Sequence, residues 1–541
     1  MRTYERGKTV LSACVAAGLL ATALTSTPAP AKTPKDTLVL GWTLAIYRTL
    51  DPADIGETFV DEMMNNVCDP LVFQDYENPA KLVPGIAESW SVTDDALTYT
   101  FKIRKGLKFP SGNPVTAHDA AWSIQRNVKL NLNSAVMHKE WGFTDENVVE
   151  NVTASDDHTL VVRVTEPFAP PLFLAQVFTG RAAFVLDSKL VKENEKDGDW
   201  GNGWLSKTSA CVGPYRVRTW KANDVFIIER NDDYWRNEVK IKRIVVRHVP
   251  EGGAQRLLLE KGDIDIARNI TSSDFPAIEN NPDLVLFNNP MHSYWYIGLC
   301  TCDDVLQSRD VREAFKWLVD YKKLESTVMR NVGVARQSVV PIGAFGAIAP
   351  EDEPYSLNLD KAKALIAKAG YPDGFKKKLI IDQVFPFPEM AQHIQANAAK
   401  IGIELEIQPM AAAQLYGQFR SRDFESGIFA WTTNVPDAHG MISRHVFNPD
   451  NRDEFKGTMF PAWRVGWDVA ALGLNEKVLA AKMETDTEKR RKMYHEIQRI
   501  QLAESPFVYM FQKIENIAMR KEVKGLPITS FKKFYAKAYK E

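Results

Sequence analysis

The sequence predicts an α/β protein with mixed sheets, built in more than one lobe. Three observations carry this. The chain has 541 residues, 45% of them apolar, and a single hydrophobic core stops growing near ~250–300 residues. From about residue 375, helical and strand-like segments alternate at short spacing, the pattern of a largely parallel α/β unit. The first third is instead rich in strands, and the last ~35 residues return to strand-like sequence (Phe507-Val508-Tyr509-Met510-Phe511), so the chain crosses between lobes more than once.

At the N-terminus, Arg2, Arg6 and Lys8 precede the apolar stretch Val10 to Leu24, followed by small residues up to Ala29-Pro30-Ala31. A basic start, a short apolar region and an Ala-x-Ala end are the three parts of a secretory signal. The stretch is shorter than the ~20 residues a membrane span needs. The competing reading is a lipoprotein box, Leu11-Ser12-Ala13-Cys14, with lipid on Cys14. It would leave only Thr9 to Ala13 as apolar region, short of the usual ~7–15 residues. Cleavage after Ala31 is therefore the expectation, with residues 1–31 a signal peptide and a mildly acidic, exported mature chain. Four cysteines remain beyond it, Cys68, Cys211, Cys300 and Cys302. In an oxidising compartment they allow three pairings. Cys300-x-Cys302 could seed a metal site, but no His or further Cys lies close enough in sequence to suggest a tetrahedron, so metal ligation is not the expectation.

Residues 97–109 alternate bulky and polar side chains, the period of a half-buried strand. Pro110-Ser111-Gly112-Asn113-Pro114 is a turn. Thr116 can cap a helix over 117–128, with Asp119 in its first turn. Residues 159–164 read as a strand, broken by Glu166 to Pro171. Then come a helix over 360–369 closed by Gly370 and Pro372, a strand at 379–381, a helix over 388–400 ending at Gly402 and a strand over 403–407. A helix over 411–420, a strand over 427–431 and one long helix over 474–503 complete the series.

Lys+Arg is 67 against Asp+Glu 69, so no basic surplus points to nucleic acid. A search for chemistry finds no Gly-x-Ser-x-Gly elbow, no His-Glu-x-x-His, no phosphate-cradling Gly-rich Lys loop and no dinucleotide fingerprint. The nine His are dispersed. A binding protein without cofactor or metal is favoured over an enzyme, with a secreted hydrolase as the remote alternative.

Several blocks in order carry a more specific signal. The strongest is Ala87-Glu88-Ser89-Trp90, Asp94, Tyr99 to Phe109, then Gly112-Asn113-Pro114-Val115-Thr116-Ala117-His118-Asp119 and Arg126. Others are Thr49-Leu50-Asp51-Pro52, Val212-Gly213-Pro214-Tyr215, Arg230 to Trp235, Gly262-Asp263-Ile264-Asp265, Asp310 to Ala314 and Ala369 to Phe375. Over about residues 37–535 the chain resembles the bacterial extracellular solute-binding proteins of family 5, the receptors of peptide, nickel and related ABC importers.

The resemblance implies a two-lobed periplasmic binding protein (type II-like) with an extra domain and a ligand cleft between the lobes. Lobe I would comprise 32–57, 196–297 and 506–541, the extra domain 58–195 and lobe II 298–505. The crossings would fall near Trp295–Leu299 and 505–512, and Trp90, Phe101 and Phe109 would be scaffold. It also implies that Ala430, Trp431 and Thr432 line the cleft, and that backbone there and around Ile46-Tyr47-Arg48 pairs with an extended ligand like an added strand. The family's peptide binders place an Asp three residues after that Trp to hold the ligand's α-ammonium. This sequence has Asn434 there, and its nearest acid is Asp437. A buried ammonium needs a formal counter-charge. Either Asp437 takes that role, or the ligand is a non-peptide solute such as an opine-like conjugate or a metal chelate. Arg444 and His445, and Arg48, are candidates for a ligand carboxylate. The implied partners are a peptide or other small-molecule ligand and a cognate ABC permease in the inner membrane, with the receptor a monomer.

Overall fold

The computed structural model describes residues 32–541 apart from 45–47, 77, 79–80, 434, 456, 458 and 529–532. The signal segment, Tyr47 and Asn434 therefore lie outside the described residues.

The strong sequence block folds as scaffold. Strands Ala87–Val92, Thr98–Ile103, Thr159–Arg163 and Val152–Asp156 lie in that order in a four-stranded antiparallel sheet. The strand ends at Ile103, short of the expected 109, because Lys105-Gly106 turns the chain, with Gly106 at φ 79°. That positive φ is cheap only for glycine. Helix Ala117–Leu130 starts as expected: the Thr116 side chain accepts from the Asp119 N–H, while the Asp119 carboxylate accepts from Thr116. Its inner face packs on this sheet among Tyr99, Phe101, Ile124, Trp141 and Phe173, all buried. Arg126, on the same helix, reaches back to Asp51 with two hydrogen bonds of 2.8 and 2.6 Å. Both side chains are fully buried. The Leu50-Asp51-Pro52 block is thus clasped to helix Ala117–Leu130.

Most of the remaining strands form one large sheet, with Gly333–Ala335 paired to Phe507–Arg520 off its main path; Val72–Gln74 with Leu82–Pro84 and Val523–Lys524 with Tyr539–Lys540 make two separate two-stranded pairs. The order of the large sheet is Ile403–Met410, Phe375–Asp382, Ser426–Thr432, Leu284–Leu299, Phe507–Arg520, Ile266–Ala267, Thr37–Trp42, Arg243–His248, Val225–Arg230, Tyr215–Lys221. The first two pairings in lobe II are parallel, as the helix–strand alternation predicts. Two long strands, Leu284–Leu299 and Phe507–Arg520, belong to both lobes. Leu284–Pro290 is in register with Arg520–Ile514; the register then breaks, and Tyr294–Gly298 matches Gln512–Phe507. Only the second half pairs with Ser426–Thr432. The change of neighbours thus falls at Pro290–Tyr294 and Gln512–Ile514.

One helix differs from expectation. Residues 474–503 form two helices, Leu474–Met483 and Thr487–Glu504, because the Asp486 side chain accepts from the Lys489 N–H and caps a new start. The four cysteines pair as Cys68–Cys211 and Cys300–Cys302. Among the described residues no group of three or more His, Cys, Asp or Glu could hold a metal, and no helix is long and apolar enough to cross a membrane.

Candidate functional site

Strand Ser426–Thr432 brings the candidate residues to the place where the lobes meet. It is antiparallel to Ser293–Leu299, with Ala430 opposite Trp295, Trp431 opposite Tyr294 and Thr432 opposite Ser293. Gly427 is required by packing: a Cβ there would stand 2.6 Å from the Phe429 ring and 2.8 Å from Ile380. The strand's alternation sends Ala430 to one core of lobe II and Trp431 to the other. Trp431 is half-buried, edge-on to the His445 ring at 5.3 Å, with the Arg464 guanidinium 5.3 Å over its face. Thr432 is exposed and its hydroxyl donates to Ser293 Oγ at 2.8 Å. The Ala430 N–H and C=O are both held by the Tyr416 hydroxyl, at 3.0 and 3.2 Å.

The charged candidates are committed to protein partners. Asp437 is buried, and its Oδ1 accepts from Arg490 Nη2 at 2.6 Å and from the His439 N–H at 2.9 Å. The counter-charge of Asp437 in this structure is Arg490, fifty-three residues on. His445 is fully buried among Tyr296, Trp431 and Phe507, and burial pushes it down to about 3, so it is a neutral packing residue rather than a carboxylate partner. Arg48 is exposed and pairs with Glu57 at 3.1 Å.

Arg444 joins a group that no local pattern announces. Its Nη2 donates to Glu140 Oε2 at 2.7 Å, and His439 Nε2 stands 3.5 Å from Glu140 Oε1. Glu140 closes helix Val136–Lys139, beside Trp141 of the four-stranded sheet's core, while His439 and Arg444 lie on helix His439–His445, so this pair ties two elements far apart in the chain. Lys482 adds to it, donating to the Glu140 carbonyl at 2.7 Å and lying over the Trp141 and Phe168 rings at 4.5 and 4.7 Å. Burial raises the Glu140 carboxyl, but His439, Arg444 and Lys482 outweigh it and hold it at about 2. Burial lowers His439, against the pull of Glu140. A cavity of about 300 Å³ lies beside these residues, lined also by Val136, Phe447 and Phe460. A second, of about 170 Å³, runs past Phe345, Asp437 and Arg490 to Ala169, which belongs to the core beneath the four-stranded sheet. Glu140, Lys482, Tyr416 and Arg490 carry no signal in the sequence, because each acts through a partner distant in the chain.

The comparisons with known proteins agree with this architecture. The model of the bacterial extracellular solute-binding proteins, family 5 Middle, matches residues 81–453. The chain is 27% identical over 505 residues to the probable D,D-dipeptide-binding periplasmic protein DdpA of Escherichia coli, covering 92% of each chain. Among solved structures it resembles the periplasmic binding protein DppA of Helicobacter pylori in complex with the peptide STSA. The TM-score is 0.74 at 21% identity, covering 93% of this chain and 98% of that one. It also resembles MoaA of A. tumefacien R10 in complex with mannopinic acid, with TM-score 0.75 at 21% identity over 94% and 100% of the two chains. The two-lobed fold is that of the periplasmic binding proteins, and the role is that of a receptor rather than an enzyme. With the match spanning well over half its length, the chain belongs to the bacterial extracellular solute-binding proteins of family 5.

Proposed function

We propose that this protein is the periplasmic receptor of an ABC importer for peptides. It acts as a monomer, is exported by cleavage after Ala31, and hands its ligand to a permease of the inner membrane. One observation carries the peptide reading: the strand Ser426–Thr432 runs past its neighbour Phe375–Asp382 and ends on the exposed Thr432, beside half-buried Trp431. Such an edge takes up an extended main chain by strand addition, with the indole supplying contact area. DdpA and DppA, named for or seen with peptide ligands, support the same class. The two lobes meet through a few residues of the long strands at Pro290–Tyr294 and Gln512–Ile514, where a register break gives the natural place for bending. Ligand that touches both lobes only when they are shut moves the equilibrium toward the closed form.

A second reading has its own observation. With Asp437 bonded to Arg490, no acid of the described stretch 427–449 is open to an ammonium. That favours an acidic, non-peptide solute, and a structural neighbour holds mannopinic acid. Native mass spectrometry of the protein purified from its own cells, followed by fragmentation of the released ligand, separates the two. The proposal expects peptide-bond fragments. A released acid without them selects the second reading.

A further inference from the structure

The edge of the cleft strand is occupied unevenly. In an antiparallel pair, alternate residues point their N–H and C=O to the same side. The Thr433 N–H donates to the His292 carbonyl, so residues of odd number face the strand Leu284–Leu299. Those of even number, Ser426, Ile428, Ala430 and Thr432, face the opposite edge. There Phe375–Asp382 pairs with Ser426 and Gly427. Next along the edge comes not a strand but a side chain. The Tyr416 hydroxyl, from helix Ala412–Ser421, accepts from the Ala430 N–H at 3.0 Å and donates to the Ala430 carbonyl at 3.2 Å. Its ring is partly buried, tilted against Phe429 at 6.2 Å. Thr432, exposed, is the first even position without a strand or side chain of the described residues laid along this edge.

We propose that Tyr416 is a specificity-determining stop. By taking both pairing groups of Ala430, it makes an extended ligand pair from Thr432 outward. This deepens the peptide reading and rests on it. One pairing step along a strand is two residues, so an occupied Ala430 shortens the ligand that can lie flat by about two residues. The ligand class is then short peptides, di- and tripeptides, with longer chains excluded by a ring and a satisfied hydroxyl rather than by charge.

Two measurements test this. Calorimetric titration of L-alanine oligomers of two to five residues should show the wild-type protein losing at least tenfold in affinity between three and four residues. Tyr416→Ser, which removes the ring, should recover most of that loss for the longer oligomers and leave the dipeptide nearly unchanged. Amide hydrogen exchange on the ligand-free protein needs only the conservative Tyr416→Phe, which keeps the ring and its packing. The Ala430 amide should then exchange at least tenfold faster, with the amides of Ile428 and Trp431 unmoved. Binding with the same length profile in wild type and Tyr416→Ser, or an Ala430 amide equally protected in Tyr416→Phe, overturns the stop while leaving the peptide reading intact. Absence of binding for every oligomer in both proteins overturns the peptide reading and the length limit together.

Discussion

At the scale of single residues, charge placement decides what the cleft can recognise. Glu140 is held at about 2 by His439, Arg444 and Lys482, which outweigh its burial. A carboxyl lowered on folding contributes stability above its unfolded value, and that contribution fades as pH falls through the folded one. Glu140→Gln should therefore lower stability by about 1–3 kcal/mol near neutrality, since Arg444 is left partly buried without its counter-charge. In denaturant titrations the difference from wild type should shrink between about pH 4 and pH 2; a constant difference would show that Glu140 acts by shape alone. The same residue ties helix Val136–Lys139 to helix His439–His445, next to the strand that carries Trp431, so ligand affinity should fall with it. Asp437→Asn should also destabilise, by stranding buried Arg490, and should alter binding of free and N-acetylated peptides alike, as titration of both forms would reveal. Neither role could be read from the sequence. Glu140 and Arg444 are 304 positions apart, and nothing local to either marks the other.

At the scale of elements, the periodic parts were legible and the punctuation was not. The helices and strands between Leu359 and Thr432 lie where apolar periodicity and Gly–Pro boundaries place them, and Thr116-x-x-Asp119 is a capping box in structure as in sequence. Trp90, Phe101 and Phe109 belong to the extra domain's core and its edge, as scaffold. The split at 484–486 leaves no mark in the sequence pattern, because the helix period continues across it; the decisive contact is one Asp486 side chain. Asp486→Ala should cost about 1 kcal/mol, read as a shift in the urea midpoint, and an unchanged midpoint would argue that packing alone starts that helix. The cysteines show the same limit, since their count permits three pairings and only the fold chooses among them. Cys68–Cys211 closes a loop of 143 residues and Cys300–Cys302 one of two. In the chain-entropy picture the long loop is worth about 5 kcal/mol and the short one much less. Replacing each pair by serines and comparing urea midpoints checks the order; equal losses would refute it.

At the scale of the whole molecule, stability and motion are linked to how polar groups are buried. Burial pushes His445 down to about 3 and His138 and His292 to about 4. Histidines lowered on folding are uncharged in the native state and charged in the unfolded one below about pH 6.5, so acid favours unfolding. Between pH 7 and 5 each withdraws about 2 kcal/mol. Asp69, raised to about 7 by burial, works in the opposite direction over the same range and offsets roughly one histidine. The net expectation is a loss on the order of 3 kcal/mol, seen as a falling Tm from pH 7 to 5. A Tm flat over that range would mean that these rings find compensating protons. The larger claim concerns closure. The contacts of Glu140 with Arg444 and of Lys482 with the Glu140 carbonyl join helix Val136–Lys139 to helices His439–His445 and Leu474–Met483, while the two long strands carry one sheet through the molecule. Small-angle scattering with and without a ligand identified by native mass spectrometry tests this most directly. Ligand should lower the radius of gyration in wild type, while Glu140→Gln should need more ligand for the same contraction. A ligand that raises the Tm yet leaves the radius of gyration unchanged would contradict capture by lobe closure.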